Sequence, residues 1–109
     1  MGRPSGPEND KLMEIIWTVS ATEDYLRAET SRPKEFAASI DGALCLLRVF
    51  PEMGSRVLYS TKLRRILVGQ KRQFGLYYGL TTKRIAVVAL VDLRQAPLSI
   101  ERIILERQP

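Results

Sequence analysis

The hydrophobic period of this chain changes at Pro51 and Gly54, and the second half that follows is compatible with very few folds. Before the break, Phe36, Ile40, Ala43, Leu44 and Leu47 recur at the three-to-four spacing of one helix face. After it, apolar residues alternate, and residues 63–69, 72–80 and 84–91 predict three strands. Only residues 69–71 and 81–83 separate them. A parallel crossover needs about a dozen residues, so the three strands must form an antiparallel meander.

Alternation also assigns faces. In the middle strand, Phe74, Leu76, Tyr78 and Leu80 point one way, and Gln73, Gly75, Tyr77 and Gly79 the other. The bulky face is expected to receive the helices. The small, polar face is expected to stay open to another molecule, with Tyr77 exposed on it. Residues 97–107 fit either a short amphipathic helix through Ile100, Ile103 and Ile104 or an edge strand.

The first half supplies the covering layer. Leu12, Met13, Ile15, Ile16 and Trp17 follow so closely that residues 11–18 predict a strand buried on most of both faces, with Trp17 in the core. Ser20 stands three residues before Glu23, the spacing of a capping box, so a helix is expected from there to about Thr30. Pro33 suits the first turn of a second helix, where its missing N–H is no loss. Gly42 inside that helix either admits another backbone or is tolerated at roughly 1 kcal/mol against alanine. The fold class expected is therefore α+β: an N-terminal strand, a two-helix hairpin and a three-stranded antiparallel meander. Residues 1–10 are expected to be a flexible tail, and 11–109 a single domain, since 109 residues cannot form two independent cores.

Composition narrows the function. The chain has no histidine and one cysteine, Cys45, expected to be a small core or half-buried hydrophobe. An internal disulfide, cysteine zinc sites and histidine-activated nucleophiles are excluded. No cofactor or metal is expected. Neither a secretory start nor a membrane-spanning run is present, so a cytoplasmic location with no membrane partner is expected. The net charge of +5 is unevenly spread: −3 over residues 1–52, +8 over 53–91 and zero over 92–109. The acid-free passage carries Arg56, Lys62, Arg64, Arg65, Lys71, Arg72, Lys83 and Arg84, which favours an acidic partner, nucleic acid or protein.

Several short stretches, in this order, resemble the ParE/RelE toxin superfamily. They are Ser20-Ala21 with Asp24, then residues 50–54 (Phe-Pro-Glu-Met-Gly), residues 63–69 (Leu-Arg-Arg-Ile-Leu-Val-Gly), Leu76-Tyr77-Tyr78, and residues 87–91 leading into Asp92-Leu93-Arg94. The resemblance covers about residues 11–97. It implies a toxin of a type II toxin-antitoxin system, serving plasmid stabilisation or growth control. A cognate antitoxin would wrap the open side of its sheet in a hetero-oligomer. RelE-like members cut messenger RNA on the ribosome with basic side chains; ParE-like members block DNA gyrase.

Matched residue by residue with the RelE-like nucleases, Arg65 and Arg94 keep basic positions. Phe74 stands where those proteins carry arginine, Leu67 where they carry a second basic residue, and Ile100 where they carry tyrosine. Arg72, two residues before Phe74, would replace it on the same strand face if the alignment slips by two. Arginine cannot act as a general base. A lysine or tyrosine doing so would need its pKa lowered by about 3 units, roughly 4 kcal/mol. The resemblance is therefore closer to ParE-like members, although Gln95 and Ala96 follow Arg94 where those commonly carry arginine and aspartate. Arg65, Arg72, Tyr77 and Arg94 are the expected target- or antitoxin-binding residues. DNA gyrase is the expected target, with ribosome and mRNA, or a degenerate binding module, as alternatives.

Overall fold

The computed structural model describes residues 12–31 and 33–108, so the N-terminal tail expected at 1–10 lies outside the described residues. The chain is α+β, with three α-helices and a five-stranded mixed sheet. In chain order these are β1 (Glu14–Trp17), α1 (Val19–Ser31), α2 (Pro33–Val49), β2 (Ser55–Arg56), β3 (Leu63–Val68), a 3-10 turn (Gln70–Arg72), β4 (Phe74–Leu80), β5 (Arg84–Asp92) and α3 (Pro97–Glu106). The antiparallel meander is the centre of a larger sheet ordered β1-β5-β4-β3-β2, with β1 parallel to β5.

β1 is an edge strand, which corrects the expectation of burial on both faces. Its register with β5 runs from Glu14 opposite Arg84 to Trp17 opposite Val87. Met13, Ile15 and Trp17 pack against the core, while Ile16 is 41% exposed on the side that no helix covers. A continuous apolar run cannot distinguish a central strand from a half-covered edge. Thr18, not Ser20, caps α1: its Oγ1 accepts the Ala21 N–H at 3.1 Å, while its own N–H donates to the Val87 carbonyl at 3.0 Å. One residue thus ends the strand and begins the helix.

The helix hairpin covers one face of the sheet through the stripe read from the sequence. Phe36, Ile40 and Leu47 meet Ile66, Val68, Phe74, Leu76, Tyr78, Ile85, Val87 and Leu90. An aromatic chain crosses this core, Trp17 to Tyr25 at 5.8 Å, Tyr25 to Phe36 at 5.8 Å and Phe36 to Phe74 at 5.0 Å between ring centroids. Cys45 lies off the stripe and is exposed, contrary to the expected core or half-buried position. Gly42 has nothing within 4 Å of where a Cβ would stand, so it admits no neighbouring backbone.

The loop leaving α2 is pinned by Tyr78. Its hydroxyl donates to the Pro51 carbonyl at 2.8 Å and accepts the Gly54 N–H at 3.0 Å. A Cβ on Gly54 would stand 2.5 Å from that hydroxyl, so glycine is required by close approach rather than by turn geometry.

The face expected to stay open is covered by the chain itself. The β4–β5 register shifts between Tyr77, opposite Ala89, and Tyr78, opposite Val87. The extra residue sends both Val88 and Ala89 to the second face. There they join Val57, Leu63, Tyr77 and Val91 in a second core, closed by Ile100 and Ile104 of α3. The C-terminal segment is therefore the helix of the two forms the sequence allowed. Among the described residues no helix is long and apolar enough to cross a membrane.

Candidate functional site

The expected contact residues fall at two charged places, on either side of the three central strands β5, β4 and β3. The first is the edge of β5. β1 leaves β5 after Val87, so the outward N–H of Leu90 and carbonyl of Val88 lose a strand partner. Side chains replace it: Asp24 Oδ2 accepts the Leu90 N–H at 3.0 Å, and Arg107 donates to the Val88 carbonyl at 3.2 Å. The two side chains also pair with each other, and Arg27 donates to Asp24 Oδ1 at 2.7 Å. Asp24 is only 6% exposed, and buried charge of this kind persists only when paired. This clamp ties α1 to the residue that follows α3. Sequence reading left it unassigned, yet Asp24 shares the inward stripe of α1 with Ala21, Tyr25 and Ala28, which was a usable signal.

Arg94 opens onto the same cleft of about 430 Å³, but it is not available as an unpaired cation. Its Nε and Nη2 reach the two oxygens of Asp92 at 3.0 and 2.6 Å. The hydrogen bond and charge of Asp92 hold the guanidinium still more firmly protonated, so it has no capacity as a base.

The second place is the outer edge of β3. β2 pairs with it only at Arg64 and Arg65, so the strand beyond has no partner on that side. A groove of about 370 Å³ runs there between α2 and the strand, lined by Leu46, Met53, Leu67, Arg65 and Arg72 among others. Neither arginine forms an ion pair among the described residues. Arg72 is not on a strand as expected. It sits in the 3-10 turn at φ 53°, directly after Lys71 at φ 60°. Two consecutive non-glycine residues in the left-handed region cost of order 1–3 kcal/mol each. The turn therefore projects two cations at an energetic cost. Phe74, which Arg72 was to replace, points into the hairpin core, so a shift by two cannot exchange their roles.

Tyr77 is 1% exposed, correcting its expected place as an exposed contact. It packs beneath α3 beside Tyr59, whose phenol is pushed up to about 12, first by burial and then by the neighbouring Tyr77. Of the four expected contact residues, Arg65 and Arg72 are thus brought together, Arg94 lies apart and paired, and Tyr77 is core. Among the described residues no group of His, Cys, Asp and Glu could hold a metal ion. In comparisons with known proteins, the chain matches no protein-family model and no curated protein sequence significantly.

Proposed function

We propose that this chain is a ParE-like toxin that acts by binding and inhibiting DNA gyrase, and that a cognate antitoxin neutralises it in a hetero-oligomer. The observation carrying this reading is the β3-edge groove, where Arg65 and Arg72 have no carboxylate partner among the described residues and stand beside the exposed apolar side chains of Leu46, Met53 and Leu67. Cations bordering an apolar strip suit a protein surface carrying acidic and aliphatic residues. The order of strand, helix hairpin and meander agrees with it.

Binding is favoured over RNA cleavage because two of the positions a nuclease would use are spent on packing and a third is paired with a carboxylate. Phe74 belongs to the first core, Ile100 to the second, and Arg94 is held by Asp92. The antitoxin would have to engage the groove edge or displace α3, since the sheet face beneath α3 is occupied.

Purified, antitoxin-free protein should inhibit gyrase supercoiling, and the Arg65→Glu/Arg72→Glu double variant should inhibit at least about tenfold more weakly, a loss of roughly 1.4 kcal/mol. Absence of inhibition by the unmodified chain would overturn the gyrase reading. Cleavage of ribosome-bound message that Arg94→Ala abolishes would replace it with the nuclease alternative.

A further inference from the structure

A third cationic site lies at the opposite end of the second sheet face. The register places Gly79 opposite Ala86 and Leu63 opposite Gly79, so two of three neighbouring side chains on this face are minimal. They leave a hollow of about 730 Å³, within the roughly 300–1,000 Å³ typical of ligand pockets. Leu63, Leu80, Ala86 and Val88 give it an aliphatic lining, and Arg56, Lys62, Arg64 and Arg107 are the charged residues around it. No carboxylate of the described residues lines it.

These cations differ in what they already do. Arg107 is committed to Asp24, and Arg64 donates to the backbone carbonyls of Glu52 and Gly54 at 3.0 and 2.9 Å and forms no ion pair among the described residues. Arg56 and Lys62 are exposed and form no ion pair among the described residues. A concave aliphatic surface bordered by Arg56, Lys62 and Arg64, which meet no carboxylate among the described residues, complements a ligand that is apolar at one point and anionic around it. Among the described residues no aromatic ring lines the hollow, so they offer none of the stacking platforms by which proteins hold single-stranded nucleic acid.

We propose that this hollow is a docking site for an acidic segment of a partner protein, which seats one large aliphatic side chain over Gly79 and Ala86 and places carboxylates on Arg56, Lys62 and Arg64. The site is separate from the β3-edge groove, and it stands whether or not the chain inhibits gyrase.

The test uses the full chain and a fluorescent synthetic peptide alternating glutamate with leucine, read by anisotropy and by backbone amide shifts. The peptide should bind, weaken as salt rises, and shift the amides of Gly79, Ala86 and Val88. Arg56→Glu and Lys62→Glu should each weaken it about tenfold. Ala86→Leu, which fills the hollow without changing charge, should weaken it comparably, whereas Arg65→Glu should leave it unchanged. Thermal melts identify any variant that has unfolded, and the two charge reversals, being on exposed side chains, keep the test intact if Ala86→Leu fails to fold. Equal binding of a serine–leucine peptide, insensitivity to all three substitutions, or tighter binding of oligouridylate at the same amides would each overturn the proposal.

Discussion

Replacing Asp24 with alanine removes three interactions from a side chain that is 6% exposed, and the structure permits the cost to be worked out. Arg107 and the exposed Arg27 lose their shared counter-ion, and the Leu90 N–H loses its acceptor. Breaking a buried ion pair costs about 3–5 kcal/mol, but Arg107 is 24% exposed, so returning water lowers this to about 2–3 kcal/mol. The orphaned Leu90 amide, in a buried stretch of β5, adds about 1–2 kcal/mol. The Arg27 pair contributes little, because that side chain is 71% exposed. The expected loss is about 3–5 kcal/mol, a large part of the 5–15 kcal/mol typical of a domain. Urea unfolding followed by the fluorescence of Trp17, the single tryptophan, measures it directly. Asp24→Asn, which can still accept from Leu90, should lose less. In a double-mutant cycle with Arg107→Met, the coupling should be about 1–3 kcal/mol. A loss below about 1 kcal/mol for Asp24→Ala, or strict additivity in the cycle, would refute the clamp as a stabilising element.

Three further outcomes follow from the same structure. Gly42→Ala should stabilise by up to about 1 kcal/mol in thermal or urea melts, because the site is exposed, helical and empty within 4 Å. Tyr78→Phe should cost about 1–3 kcal/mol by leaving the Gly54 N–H without its acceptor, and Gly54→Ala should cost at least as much through collision with the Tyr78 hydroxyl; equal stability of either variant and the parent would contradict the pinned loop. The Tyr59 phenol titrates higher when folded than the usual value of 10.0, so folding favours its protonated form. Its contribution is complete below about pH 10 and is lost as pH rises toward about 12, with a slope of at most about 1.4 kcal/mol per pH unit. Unfolding midpoints across that window should fall less steeply in Tyr59→Phe than in the parent.

Local chemistry in the sequence was enough to set the α+β class and the order of first strand, helix hairpin and meander, but not the two-residue β2 or the form of the C-terminal segment. The change of period at Pro51 and Gly54 and the short connections forced an antiparallel meander, and the stripe from Phe36 to Leu47 named the residues that cover it. These features are legible because they depend on neighbours a few residues apart. Burial of the second face was not legible, because it depends on a one-residue register shift between Tyr77 and Tyr78 and on α3 returning from far along the chain to seat Ile100 and Ile104. That return buries Tyr77. The candidate contacts divided for the same reason. Arg65 and Arg72 lie at one edge of the sheet and Arg94 beside Asp92 at the other, an arrangement set by strand order rather than by spacing. Charge density along the sequence determined that the chain carries an acid-free cationic passage. Only the packing of strands and helices decided which of those cations meet a carboxylate, since a pair such as Glu14 and Arg84 joins residues that only the tertiary fold brings together.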